Sequence, residues 1–119
     1  PPDRVTPVLV FAGRRDYLPD FLPTAIPLPR MKLRPRHGSA LVIPRPTDPA
    51  RPTELLYTNY SVIMNARRRL ACLSAANVDF GAPFQAPRPP SDRWRLDGRL
   101  DADQQLGNLY YFGGSNLYD

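Results

Sequence analysis

The pattern of apolar and polar positions is most informative between Leu55 and Asp79, where LLYTNYSVIMNARRRLACLSAANVD reads as two β-strands joined by a short turn. In an extended segment Leu55, Tyr57, Asn59, Ser61 and Ile63 share one face, and Leu56, Thr58, Tyr60, Val62 and Met64 share the other. Both faces carry large apolar groups. A return strand sets Leu70, Cys72 and Val78 on one side and Ala71, Leu73 and Ala75 on the other, which predicts a strand covered on both faces rather than a solvated edge. Asn65 begins the turn between them, a common role for its side chain, with Arg67 to Arg69 at the exposed tip or just past it. The pattern therefore predicts a two-stranded β-hairpin over 55–79 as the centre of the fold.

Proline placement supports that centre. Of the 16 prolines, 12 lie at or before Pro52, four fall between Pro83 and Pro90, and none lies from Thr53 to Ala82. Proline lacks the ladder donor and is excluded from sheet interiors, so only the proline-free window can form a central sheet. Residues 1–52 read as a proline-punctuated lead that drapes over the sheet, with brief extended pieces at Ile26–Leu28 and Leu41–Ile43 and no long helix. Tyr17, Leu18, Phe21 and Leu22 give that lead anchors which a free linker would not carry.

Beyond a second proline-rich loop, 92–119 holds the lone tryptophan, Trp94, in DRWRLDGRL, then the capping pattern DADQQLG. Asp101 as N-cap, Gln104 three residues on and Gly107 as a stop predict a helix of one or two turns near 101–106. The fold class expected is α+β, a single domain built on antiparallel strands.

Charge adds a candidate partner. The formal net charge is +5, and because Lys32 is the only lysine, 15 of the 16 basic residues are arginine. Arginine's planar donors suit phosphate, so nucleic acid is the first partner to consider, although an arginine-rich, lysine-poor composition also follows from a GC-rich coding sequence. Arg67, Arg68 and Arg69 either grip backbone phosphates or form a solvated hairpin end that blunts aggregation. Trp94 reads as a core residue, and Asp97 as a cap or loop anchor.

Other chemistry is poorly served. Cys72 is the only cysteine, which leaves no intramolecular disulfide and no multi-cysteine zinc site, and it reads as a small buried residue of the return strand. His37, the only histidine, lies in the basic run MKLRPRHG, far from a Cys/His pairing in sequence. No apolar run reaches the ~18 to 20 residues of a membrane span, so no membrane partner is expected. No signal peptide is visible, and one cysteine suits cytoplasm or export alike.

The order YLPDFL, IPLPRM, LLYTNYSVIMNARRRLACLSAANVD, RWRLD and QLGNLYYFGGSNLYD resembles the amino-terminal half of the DNA/RNA non-specific endonucleases. That family includes secreted bacterial nucleases and mitochondrial endonuclease G, within the ββα-metal superfamily. The resemblance spans essentially the whole chain and is most specific in the hairpin, in Trp94 with Asp97, and in the closing Tyr118-Asp119. Family members continue from that aspartate into an Asp-Arg-Gly-His motif, whose histidine is the general base, with a later asparagine holding Mg²⁺.

The resemblance thus implies a partial nuclease domain over 1–119, with Asp119 as the first residue of the catalytic motif. It implies Mg²⁺ in the intact parent, nucleic acid as substrate, and the remaining half of the nuclease domain as a structural partner. Arg93 or Arg95, beside Trp94, is the expected phosphate contact, with Arg68 and Arg69 as further candidates. Little or no cleavage is expected from this chain alone. The alternative reading is a non-catalytic, arginine-rich nucleic-acid-binding module, and a third is a scaffold protein recognised through segments such as Pro87 to Pro90.

Overall fold

The computed structural model describes residues 3–14, 16–34, 40–81, 87 and 95–111. The proline-free window forms three strands rather than two: β2 (Glu54–Leu56), β3 (Tyr60–Asn65) and β4 (Leu70–Ala76), in the antiparallel order β2-β3-β4. The segment read as one strand from Leu55 to Met64 turns back on itself at Tyr57–Tyr60, where the Tyr57 amide donates to the Tyr60 carbonyl at 2.9 Å. Asn59 makes the reversal feasible with φ of 65°, a left-handed conformation that asparagine tolerates better than most residues.

The turn also corrects the predicted faces. Directly opposed residues on neighbouring strands share a face, and Leu55 lies opposite Val62 while Glu54 lies opposite Ile63. Leu55 therefore sits with Val62 and Met64, not with Ser61 and Ile63. On that first face Leu55, Val42 and Leu100 form the apolar core, with Tyr57, Val62 and Met64 packed against it. On the second, Ile63 and Ser61 are buried under the lead.

Asn65 opens the β3–β4 turn as its sequence position predicts. Its Oδ1 accepts from the Arg67 and Arg68 amides, both at 3.0 Å, and its carbonyl accepts from the Arg69 amide at 2.8 Å. The ladder slips between Ile63 and Met64, which pair with Leu73 and Ala71, so Cys72 is the extra residue of a bulge. Cys72 is accordingly half-buried rather than buried. The central strand β3 has buried or half-buried residues on both faces from Ser61 to Asn65. Strand β4 pairs with β3 alone among the described residues, and Leu70 at one of its ends is 53% exposed, so the prediction of a return strand covered on both sides is overturned.

The lead crosses the sheet with little regular structure: a 3₁₀ turn at Val8–Phe11, no strand at Ile26–Leu28, and an antiparallel bridge from Leu41 to Asn65. Val42 donates to the Met64 carbonyl at 2.9 Å, which extends the β2 side of β3 beyond Glu54. Two further strands, β1 (Val5–Thr6) and β5 (Leu96–Asp97), pair in parallel. Their approach needs Gly98, because a Cβ there would stand 2.5 Å from the Thr6 carbonyl oxygen.

The predicted helix near 101–106 is a single 3₁₀ turn, Ala102–Gln104, with the Gln104 side chain accepting from the Asp101 amide at 2.9 Å. Gln105 already has extended backbone and ends it, so Gly107 is not its stop. Gly107 instead lies against the Asp3 carboxylate, which accepts from the Asn108 amide at the start of α1 (Asn108–Tyr111). A small antiparallel sheet, a parallel pair and short helical turns are compatible with the α+β class.

Candidate functional site

Buried polar residues outnumber buried apolar ones among the described residues, and they gather where the chain crosses itself. Arg99 and Asp97 are the largest such pair, each more than nine-tenths buried. Arg99 Nε donates to Asp97 Oδ1 at 3.0 Å, one terminal nitrogen donates to Asp97 Oδ2 at 2.8 Å, and the other to the Leu56 carbonyl at 2.9 Å. The guanidinium carbon lies 3.8 Å from the Phe11 ring centroid and 4.8 Å from that of Tyr57. A bidentate carboxylate partner and aromatic cover satisfy a charge that would otherwise be costly to bury.

Two more side chains complete this knot. The Tyr57 hydroxyl donates to Asp97 Oδ2 at 2.6 Å, and Gln105 brackets the Asp97 backbone, accepting from its amide at 2.7 Å and donating to its carbonyl at 2.9 Å. Burial alone would raise the Asp97 carboxyl, but the hydrogen bonds from Arg99 and Tyr57 and the Arg99 charge hold it below the usual carboxylate range. Burial first, then the bond to anionic Asp97, pushes the Tyr57 phenol well above its ordinary value. With all three guanidinium nitrogens and both carboxylate oxygens hydrogen-bonded, the knot is an anchor, and Asp97 has the loop-fixing role its sequence context predicts.

The second polar set pins YLPDFL to the sheet. The Tyr17 amide donates to Ser61 Oγ at 3.1 Å, the Leu18 amide to Asn77 Oδ1 at 3.3 Å, and Asn77 Nδ2 to the Asp16 carbonyl at 3.2 Å. Asp16 is buried and ion-paired to Arg51, which also reaches Asp48. Glu54 nearby has its carboxyl raised by burial, an effect that Arg51 opposes and Asp48 reinforces.

The third set lies at the β3–β4 end, beside a cavity of about 390 Å³. Lys32 and Arg34 from the lead and Arg68 from the turn line it, over a floor that includes Leu70 and Cys72. None of its lining residues is acidic. Arg68 and Arg69 are exposed at the turn, as is Arg95 before β5. The structure brings Arg68 together with Lys32 and Arg34, and separates it from the knot. Arg93, Trp94, Asp119 and His37 lie outside the described residues.

Sequence reasoning passed over Arg99, Gln105, Lys32 and Arg34. The Asp97-Gly98-Arg99 spacing was a usable signal, because a turn centred on glycine lets carboxylate and guanidinium face each other two residues apart. Lys32 and Arg34 carried no such signal within MKLRPRHG. Among the described residues no group of three or more His, Cys, Asp and Glu side chains could hold a metal ion, and no helix is long and apolar enough to cross a membrane.

The chain is 35% identical over 108 residues to the uncharacterized protein y4fB of Sinorhizobium fredii, a match that takes in 88% of this chain. It spans only 16% of that relative's length. No protein-family model matches the chain, and no solved structure matches it.

Proposed function

We propose that this chain is the amino-terminal scaffold of a metal-dependent DNA/RNA non-specific endonuclease of the ββα-metal class. The observation that carries the reading is the ordered series of motifs from YLPDFL to NLYYFGGSNLYD along essentially the whole chain. The antiparallel sheet is compatible with such a scaffold, and the knot gives Asp97 a structural role. In this reading the reaction is hydrolysis of a phosphodiester bond, with a histidine beyond Asp119 as general base.

The described residues do not fit a Mg²⁺ site. The Asp97 carboxylate is taken by Arg99 and Tyr57, and Asp79 accepts from the Gly81 amide at 2.8 Å. In this reading Mg²⁺ is held by residues elsewhere in the parent polypeptide, and Asp119 enters as the first residue of the motif rather than as a ligand. What the chain's own residues supply is the sheet, the anchored 95–105 segment that leads toward the motif, and exposed arginines for phosphate. Arg68, Arg69 and Arg95 have the exposure this needs.

The cations at the β3–β4 end, which have no ion pair among the described residues, favour the second reading, a nucleic-acid binder that does not cut. The two are separated by reading the parent coding sequence past Asp119. Continuation as Arg-Gly-His, with an asparagine downstream, is the expected result. A stop codon or an unrelated continuation refutes the nuclease assignment and leaves the binder.

A further inference from the structure

Asn65 poses a question that the turn does not answer. Its Oδ1 accepts two backbone amides, which fixes the side-chain orientation, since only the oxygen can play that part. Nδ2 is then the remaining polar end of a residue 93% buried; it keeps access to solvent and donates to no group among the described residues. Asn65 lines the same cavity as Lys32, Arg34 and Arg68.

We infer that this cavity is a binding site for a phosphate group, carried by a nucleic-acid backbone or by a free phosphate ester. Three cations from two separate segments meet there with no carboxylate in the lining to neutralise them. Their combined charge exceeds what a single carboxylate would balance, whereas a phosphate monoester carries about −1.5 to −2 with three acceptor oxygens, and a nucleic-acid backbone brings one charge with each successive phosphodiester. Arg34 and Arg68 offer forked donors, Lys32 a point charge, and Asn65 Nδ2 a fixed neutral donor. The apolar floor at Leu70 and Cys72 leaves room beside the charged rim for the body of a nucleotide. The site is independent of any cleavage chemistry in the parent, so it can stand where the nuclease reading falls.

The test is an NMR titration of the isotope-labelled 119-residue chain at constant ionic strength. The probes are inorganic phosphate, a nucleoside monophosphate and a short oligothymidylate, with chloride as the control anion. Saturable shifts of the Asn65 side-chain amide and of the Leu70 and Ala71 backbone amides are expected. Response to the oligonucleotide alone identifies the backbone as source, and response to the small phosphates identifies a free ester. R34Q and R68Q, both at exposed positions, should each weaken binding by about tenfold, the scale of one charge-assisted hydrogen bond. For the oligonucleotide each should also lower the salt slope by about one. Absence of saturable shifts with all three probes overturns the site, as does binding that R34Q and R68Q both leave unchanged while the β3–β4 amide spectrum stays intact.

Discussion

In the Asp97 knot all three guanidinium nitrogens of Arg99 meet an acceptor and two aromatic rings cover the ion, whereas at the β3–β4 end Lys32, Arg34 and Arg68 line a cavity that has no acidic residue. One region consumes its positive charge to hold the chain together, and the other leaves its charge available. The distinction comes from where the chain places its partners, because both regions draw on the same residue type. Arginine content alone therefore overstates the basic surface of this protein, and the exposed set is the part relevant to an anionic ligand.

The largest effect separating the regions should come from Arg99. R99A leaves the Asp97 carboxylate buried without its cation, a loss of about 3 to 5 kcal/mol by comparison with broken buried pairs, measurable by urea denaturation. A cost as small as that of an exposed arginine would break the comparison. Y57F should follow at about 2 kcal/mol, since it removes one hydrogen bond to a charged acceptor and keeps the ring against Phe11 and Tyr60. Near-wild-type stability for Y57F would mean that Arg99 alone satisfies Asp97.

Acidity sharpens the same contrast. Because the Asp97 carboxyl is held below its ordinary value when folded, its contribution is present above the usual carboxylate range and is lost as pH falls through the folded value. Urea midpoints should therefore fall below about pH 4. Tyr57 works in the opposite direction: its raised phenol contributes below about pH 10 and the contribution is lost as pH climbs through the folded value, a loss absent from Y57F. Alkaline curves that coincide for Y57F and the unsubstituted chain would remove Tyr57 from the knot. The smallest effect belongs to R68Q, which should move stability by less than about 0.5 kcal/mol.

The two regions also differ in how far the sequence disclosed them. Asn65 and its turn were legible because an asparagine between two alternating runs bonds its own backbone, and the Asp101–Gln104 pair was legible as a reciprocal cap. The Tyr57–Tyr60 reversal was hidden because large apolar residues fall on both faces of an extended Leu55–Met64, and only the left-handed tolerance of Asn59 marks the turn. The bulge at Cys72 left no trace in the alternation. The knot escaped notice for a deeper reason: Asp97, Arg99 and Gln105 are residue types ordinarily found in water, and their burial depends on contacts from Phe11, Leu56 and Tyr57 that are distant in sequence. The cavity required the lead and the hairpin to meet, which no spacing within either segment encodes.

The proposal that the parent polypeptide cuts nucleic acid on this scaffold is tested most directly by incubating the purified parent with supercoiled plasmid and with RNA in Mg²⁺. Cleavage of both substrates, abolished by EDTA and restored by added Mg²⁺, is the predicted result. A folded parent that retains both substrates in a mobility-shift assay and cuts neither in Mg²⁺ would contradict it.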